Sequence, residues 1–241
     1  MDGIIIINKP KNCTSHDIVR KAKKILNEKV GHTSTLDPNA TGVLPILLGK
    51  GTKISKYLIE HDKEYEVVLQ LGVKTTTADE EGEIIEEKEV LKESLEQLEI
   101  ERILKSFIGK IKQMPPKYSA IKVNGRKLYE YARSNIKVTP PTKTIEVYSL
   151  TLVDEPIAVD NTIEFSIKCE VSKGTYIRSL IRDIGYKLGT YGTMKELKRT
   201  KQGIFTINDA YSLEDIQKDY YKLITIKESL PNIKVTVLDN N

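Results

Sequence analysis

The most chemically suggestive stretch of this 241-residue chain is an aspartate followed by proline among hydroxyls and glycines. It reads Gly31-His32-Thr33-Ser34-Thr35-Leu36-Asp37-Pro38-Asn39-Ala40-Thr41-Gly42. Pro38 biases Asp37 away from helical torsions, and the flanking glycines let the backbone approach a ligand closely. A single acid on a stiff loop can present its carboxylate in a cleft, as a nucleophile or an acid-base group. An Asx-type turn without chemistry has the same composition. The second suggestive stretch is Ser172-Lys173-Gly174-Thr175-Tyr176-Ile177-Arg178-Ser179-Leu180. If Thr175 caps a helix here, Arg178 falls in its first turn, where the macrodipole disfavours a cation. A facing carboxylate offsets that penalty. The two stretches together suggest an Asp37–Arg178 pair.

Other chemistries fit poorly. A phosphate loop needs four residues between its glycines and a Ser or Thr after the lysine. Here six residues separate Gly42 from Gly49, and Lys50 is followed by Gly51. His16, His32 and His61 are the only histidines, and none has the spacing of a metal pair. Cys13 and Cys169 stand far apart with no CxxC, so neither a zinc knuckle nor a disulfide framework is indicated.

The elements that must position these stretches are partly legible. Ile4–Ile7 reads as a buried strand ending at Asn8-Lys9-Pro10. Ser15 then reads as the N-cap of an amphipathic helix with Ile18, Val19, Ala22, Ile25 and Leu26 inward. Gly31–Gly42 reads as a loop before the apolar run Val43–Leu48. Tyr65–Leu71 alternates like a strand, and Asp79–Gly82 turns into another at Ile84 and Ile85. Leu91, Leu95, Leu98, Ile103, Leu104, Phe107 and Ile108 predict a helical stripe, with acids toward its start and bases toward its end. Strands are predicted near Thr144–Leu152 and Ile163–Val171. A helix follows Gly174, with Ile177, Leu180, Ile181, Ile184 and Leu188 inward and Gly189 near its C-cap. Strands and helices mix without regular βαβ alternation, which predicts an α+β fold around a mainly antiparallel mixed sheet.

Charge narrows the partners. Asp79 to Glu101 carries eleven acids against Lys88 and Lys92, whereas Arg102 to Lys143 carries eleven bases against Glu130 alone. Tyr118, Tyr129 and Tyr131 lie inside the basic stretch, and Pro115-Pro116 and Pro140-Pro141 bracket it as a projecting excursion. Phosphate-neutralising bases interleaved with stacking aromatics are the footprint of an RNA-binding surface. A solvated lysine-rich face has the same composition. Hydrophobic residues make up 39% and charged residues 30%, as in ordinary globular proteins. No segment approaches the roughly 18 apolar residues that span a bilayer. Ile4–Ile7 is too short for a signal peptide. The expected location is therefore cytoplasmic, with no membrane partner.

Several ordered blocks resemble the bacterial TruB-type synthases that make pseudouridine 55 in the TΨC loop of tRNA. Gly3–Ser15 looks like their opening strand, Asn-Lys-Pro turn and Thr-Ser pair. Gly31–Gly42 is similar to their GHTGTLDPxATG motif. Lys63-Glu64-Tyr65, Leu71-Gly72 and Thr75-Thr76-Thr77-Ala78-Asp79 follow. Then come Met114–Ala120, Lys122-Val123-Asn124-Gly125, Leu128–Arg133, Gly174–Leu180, and Leu197-Lys198-Arg199-Thr200 with Gly203 and Phe205.

The resemblance implies a pseudouridine-synthase fold and an isomerase needing no cofactor and no metal. Its partner would be the TΨC stem-loop of tRNA, gripped by the basic segment after base flipping, with no protein partner implied. It also implies that Asp37 is the nucleophile or acid-base group, attacking either the sugar or the uracil ring, with Arg178 orienting its charge. Tyr65 would stack on the base and take a late proton. His32 would fill the space the base leaves, and Tyr176 and Leu197 would line the base pocket. Lys9, grouped with the substrate-binding residues, would support the loop from behind together with Pro10. One departure is Ser34, where the family usually has glycine, a change a loop absorbs unless a positive φ is needed. The other is at the C-terminus, where many relatives continue into an RNA-binding PUA domain. The expected organisation is a catalytic domain over 1–230, with an RNA-gripping insertion at about 105–143, and a short tail at 231–241 without a full PUA domain.

Overall fold

The computed structural model describes residues 1–92 and 95–231, so the expected tail beyond Pro231 lies outside the described residues. In chain order the first elements are β1 (Gly3–Lys9), α1 (Ser15–Leu26), β2 (Val30–His32), β3 (Thr41–Leu48), α2 (Ser55–Ile59), β4 (Lys63–Leu71), β5 (Val73–Thr75), β6 (Ile84–Glu87), α3 (Gln97–Lys105) and β7 (Gly109–Gln113). They are followed by β8 (Lys122–Val123), β9 (Arg126–Lys127), α4 (Leu128–Arg133), β10 (Lys143–Leu152), β11 (Ile157–Val159), β12 (Thr162–Val171), α5 (Ile177–Lys187), β13 (Gly192–Gln202), β14 (Phe205–Thr206), α6 (Leu213–Gln217) and α7 (Ile226–Ser229). The chain forms two compact units, one of residues 1–64 with those from 198 onward, the other of residues 65–197. The class is α+β, with mainly antiparallel strands flanked by helices, as the sequence predicts.

In the first unit β1 and β3 pair antiparallel from Gly3↔Leu48 to Lys9↔Gly42. Ile5 and Ile7 pack with Leu44, Ile46 and Leu48, with Ile18, Val19 and Ala22 of α1, and with Ile216 of α6. Ile4 and Ile6 face the other way, against Val43, Leu47, Leu58, Phe205 and Leu230. A strand buried on both faces has no polar side, so β1 reads as an unbroken apolar run instead of an alternation. Each such isoleucine contributes roughly 1.5–3 kcal/mol of burial.

Along its other edge, β3 pairs antiparallel with β2 at Ile46–Leu48 and parallel with β13 at Thr41 and Gly42. Pro45 lies between these pairings, where its missing N–H removes no bond to either neighbour. The Val43 carbonyl in the same interval accepts from Arg199 Nε at 2.8 Å. Gly42 has φ +101°, and a β-carbon there would overlap the Arg199 carbonyl oxygen. This glycine serves the approach of two strands, not of a ligand.

The helix start corrects one expectation. Thr14, not Ser15, is the N-cap of α1, in a capping box with Asp17. Both residues can cap, but only Thr14 has a carboxylate at the third helical position to return the bond. Ser15 is thereby released to point inward, and it is 1% exposed.

In the second unit β4, β12, β10 and β7 lie side by side, and β11 pairs with β12. Helix α3 packs on β10 and α5. It is shorter than the predicted stripe. Ile100, Ile103, Leu104 and Phe107 are buried, at spacings of three, four and seven, while Leu98 is 74% exposed. Leu98 is out of phase with that face, and Leu91 and Ile108 lie outside the helix and are exposed. Helix α5 starts one residue later than a Thr175 cap requires, because Tyr176 takes the N-cap position. Thr175 Oγ1 instead donates to the Ser172 carbonyl at 2.9 Å. Gly189, at φ +74°, follows the last turn, with Thr190 N bonded to Gly185 O and Gly189 N to Tyr186 O. That is a Schellman ending.

The basic excursion occupies 114–142, narrower than expected, since β7 and the start of β10 belong to the sheet through Gln113↔Lys143. Inside it, β8 and β9 form a hairpin turned by Asn124 (φ 50°) and Gly125 (φ 81°). Two successive positive φ values match the twist of a tight hairpin.

Substitution at Gly42 tests the strand approach. We expect Gly42→Ala to cost about 2–4 kcal/mol, from overpacking added to backbone strain. Gly109→Ala, at φ +107° with nothing within 4 Å of the added carbon, should cost only about 1 kcal/mol. Thermal or urea melting of both variants checks the contrast.

Candidate active site

The loop carrying Asp37 leaves β2 at His32 and enters β3 at Thr41. Its main chain is anchored at several points by side chains of the first unit. Lys9 is fully buried, and its ammonium donates to the carbonyls of Pro10 (2.8 Å), Cys13 (2.8 Å) and Pro38 (2.9 Å). Three acceptors match the three donors of an ammonium, which is what makes a buried lysine tolerable. Lys9 thus ties the β1–α1 turn to the residue directly after Asp37. The Ser15 hydroxyl both accepts from Leu36 N (2.9 Å) and donates to Leu36 O (3.1 Å), gripping the residue directly before it. Asp37 O accepts from Ala40 N at 3.0 Å, closing a turn with Pro38 at its first corner. The half-buried Asp37 is therefore held by the main chain on both sides.

His32 ends β2, and its Nδ1 is buried without a hydrogen-bond partner. Burial pushes its pKa below the ordinary histidine value, and the positive charge of Arg199 adds to that. The ring is neutral at physiological pH. His61 is lowered for the same leading reason.

The other expected residues lie in the second unit. Tyr65, 7% exposed, stands on β4, and Leu197, 8% exposed, on β13. Gln113, 2% exposed at the end of β7, clamps Tyr176 from both sides. Its Oε1 accepts from Tyr176 N (2.9 Å) and its Nε2 donates to Tyr176 O (3.1 Å). A tyrosine cannot cap its own helix, so a side chain from another strand fixes the start of α5.

Arg178, in the first turn of α5, has a carboxylate partner in its own unit that the sequence reading passed over. Its Nη1 lies 3.2 Å from Asp79 Oδ2, with the two side chains 11% and 7% exposed. Its Nη2 donates to Tyr118 O at 3.2 Å and its Nη1 to Thr77 O at 3.4 Å. Asp79 also accepts from the Thr77 hydroxyl and from Glu81 N. In sequence Asp79 looked like an ordinary turn acid. Only the fold shows that it is buried and compensates the cation that the helix dipole disfavours.

A groove of about 1060 Å³ opens under the 114–142 excursion. Its lining includes Lys74, Lys112, Lys117, Arg182, Tyr118 and Tyr131. On the excursion itself Arg126 lies over Tyr131 (5.0 Å), and Arg133 over Tyr129 (5.3 Å). Lys127 also lies over Tyr129 (5.4 Å), so both rings are engaged by cations of their own segment, leaving less aromatic surface for bases than the sequence suggests.

Comparison with known proteins shows the family of the chain. Residues 22–177 match the model for the TruB family pseudouridylate synthase N-terminal domain, and residues 178–237 match that for the tRNA pseudouridylate synthase B C-terminal domain. The chain is 50% identical over 212 residues to tRNA pseudouridine synthase B of Shouchella clausii, covering 88% of this chain and 70% of that protein. It is 42% identical over 247 residues to tRNA pseudouridine synthase B of Staphylococcus saprophyticus, covering 100% and 81%. Among solved structures, a chain of a Cbf5-Nop10-Gar1 complex superposes with a TM-score of 0.68 at 32% identity. That match covers 91% of this chain and 54% of the other, so the chain spans about half the length of that relative.

The two lowered histidines set a pH dependence. In the window from the unfolded value near 6.5 down to the depressed native values, the unfolded chain binds protons that the native chain does not. Stability is therefore present above that window and falls as pH drops through it. Asp183, which burial raises, acts in the opposite sense, so the histidines are isolated by difference. We expect melting temperature to fall between pH 7 and pH 5, and to fall less in a His32→Gln/His61→Gln variant. Melting curves of both across that range check it.

Proposed function

Because the chain belongs to the TruB family of pseudouridylate synthases, we propose that it converts uridine 55 in the TΨC loop of tRNA to pseudouridine. The reaction breaks the C1′–N1 bond and forms a C1′–C5 bond on the same uracil. C5 loses a proton and N1 gains one, so no electrons are exchanged and no redox cofactor or nucleotide is needed. The observation that carries the reading is the anchored main chain on both sides of Asp37. A reacting carboxylate must be held near its target before the base arrives, and the Lys9 and Ser15 bonds supply that rigidity.

In this reading Asp37 is the nucleophile, acting on the sugar or on the uracil ring. Arg178 orients its charge, and Asp79 in turn holds Arg178. Tyr65 stacks on the flipped base and accepts a proton late in the reaction. Tyr176 and Leu197 line the base pocket. His32 occupies the space the base vacates, a role that suits an uncharged ring. Lys9 acts on substrate through the Pro38 carbonyl. Flipping the uridine costs a few kilocalories per mole, which phosphate contacts from the basic groove at 112–137 offset. The catalytic region is residues 1–230, and the enzyme works on tRNA in the cytoplasm.

Two experiments test it. Asp37→Asn should abolish tritium release from a TΨC stem-loop labelled at C5 of the uridine, while its affinity for that RNA stays near the parent's. Turnover near the parent level would remove Asp37 from its role, and binding without release by the parent would make the chain an RNA-binding protein instead. Asp79→Asn keeps an acceptor for Thr77 but removes the charge beside Arg178, so kcat should fall about tenfold or more with KM little changed. Single-turnover kinetics on the same stem-loop measures it, and an unchanged kcat removes Asp79 from the site.

A further inference from the structure

Behind the Asp37 loop, still within the first unit, a short run of hydrogen bonds has its polarity fixed at both ends. Gln202 is fully buried, and its Nε2 donates to Leu58 O (3.2 Å) and Thr33 Oγ1 (2.9 Å). A backbone carbonyl can only accept, so the amide nitrogen must be the atom facing Leu58 and Thr33, and Oε1 must face Ser34. There it lies 2.7 Å from Ser34 Oγ, which must be the donor. The Ser34 hydroxyl oxygen in turn accepts from Arg199 Nη1 at 2.9 Å. Arg199 is 1% exposed, and its Nε is committed to Val43 O. An arginine only donates and a carboxamide oxygen only accepts. The hydroxyl joins them because it does both.

Ser34 lies three residues before Asp37, and its φ is not among the positive values of the backbone. No glycine is demanded at that position. The side chain that departs from the family pattern is thus built into the anchorage of the loop.

We propose that Ser34 is a positioning residue, whose hydroxyl links Arg199 and Gln202 to the Asp37 loop and fixes the approach of the carboxylate. The role rests on the reading of Asp37 as the reacting acid. The chemistry also orders the variants. Ser34→Gly leaves room for a water, which can accept from Arg199 and donate to Gln202 as the hydroxyl does. Ser34→Ala fills the space with a methyl group that can do neither. An interruption of the network should therefore hurt more with alanine. A purely conformational role predicts the reverse, because glycine adds backbone freedom that alanine does not.

The test is single-turnover kinetics of the parent, Ser34→Gly and Ser34→Ala on the TΨC stem-loop, with hydrogen exchange of the Leu36 and Ala40 amides. We expect kcat to fall about tenfold in Ser34→Ala and within about threefold in Ser34→Gly, with KM unchanged. The two amides, bonded to Ser15 Oγ and to Asp37 O, should exchange fastest in Ser34→Ala and slowest in the parent. Parental kcat in Ser34→Ala, or an equal or larger loss in Ser34→Gly, overturns the proposal. The exchange order needs no substrate. If the parent fails to isomerise the RNA, the assignment of activity falls, and equal exchange in all three proteins then separately overturns the role of Ser34.

Discussion

A lysine ammonium taken wholly out of water must find an acceptor for each of its hydrogens, and at Lys9 those acceptors are three backbone carbonyls. Two belong to the turn after β1 and the third to Pro38, beside Asp37. The geometry of the turn and that of the loop are thereby made interdependent. Ser15 adds a second tie from the start of α1, available because Thr14 and Asp17 complete the cap without it. The hydrophobic packing of β1, β3 and α1 holds these polar contacts in place, since none of the anchors could persist on a mobile surface. The Asp37 loop is thus an extension of the core.

The second unit solves a related problem by different means. A helix that begins with tyrosine, isoleucine and arginine has neither a side-chain cap nor an acid in its first turn. Gln113 supplies the partners for the backbone of Tyr176, and Asp79 supplies the charge opposite Arg178. The turn that carries Asp79 contains Ala78 at φ 62°, an uncommon conformation for a residue with a side chain. Bonds between that turn and Met194 of β13 hold it there. Such local cost is sustained where surrounding structure over-determines the backbone.

The basic excursion divides its cations between two tasks. Arg126, Lys127 and Arg133 lie over its own tyrosines and stiffen a segment that has little core of its own. Lys117 and Lys137 of the excursion line the groove, beside Lys112 of β7. The same residue types therefore both lie over the segment's own rings and line its groove, a division that composition alone does not show.

Much of this was legible in the residues. Apolar runs and alternation marked β1, β3, β4, β10 and β12, because burial on one or two faces leaves a periodic trace. The resemblance of ordered motifs identified the family and the candidate acid, since a twelve-residue pattern with several others in order is rarely accidental. Strand β13 was not read, although it pairs with β3, because its lysines and arginines hide the alternation behind long side chains. The hairpin at Asn124-Gly125 carried a recognisable signal that went unread. Ser15 was read as a cap and Asp79 as a turn acid, and Gln113 and Gln202 left no trace at all. A polar residue announces its type in sequence but not its burial, and burial is what turns an ordinary serine, acid or amide into an anchor. The sequence by itself determined which groups could react and which strands could form a core. Tertiary structure decided which polar side chains were forced to find each other, because that choice is made only where water has been excluded.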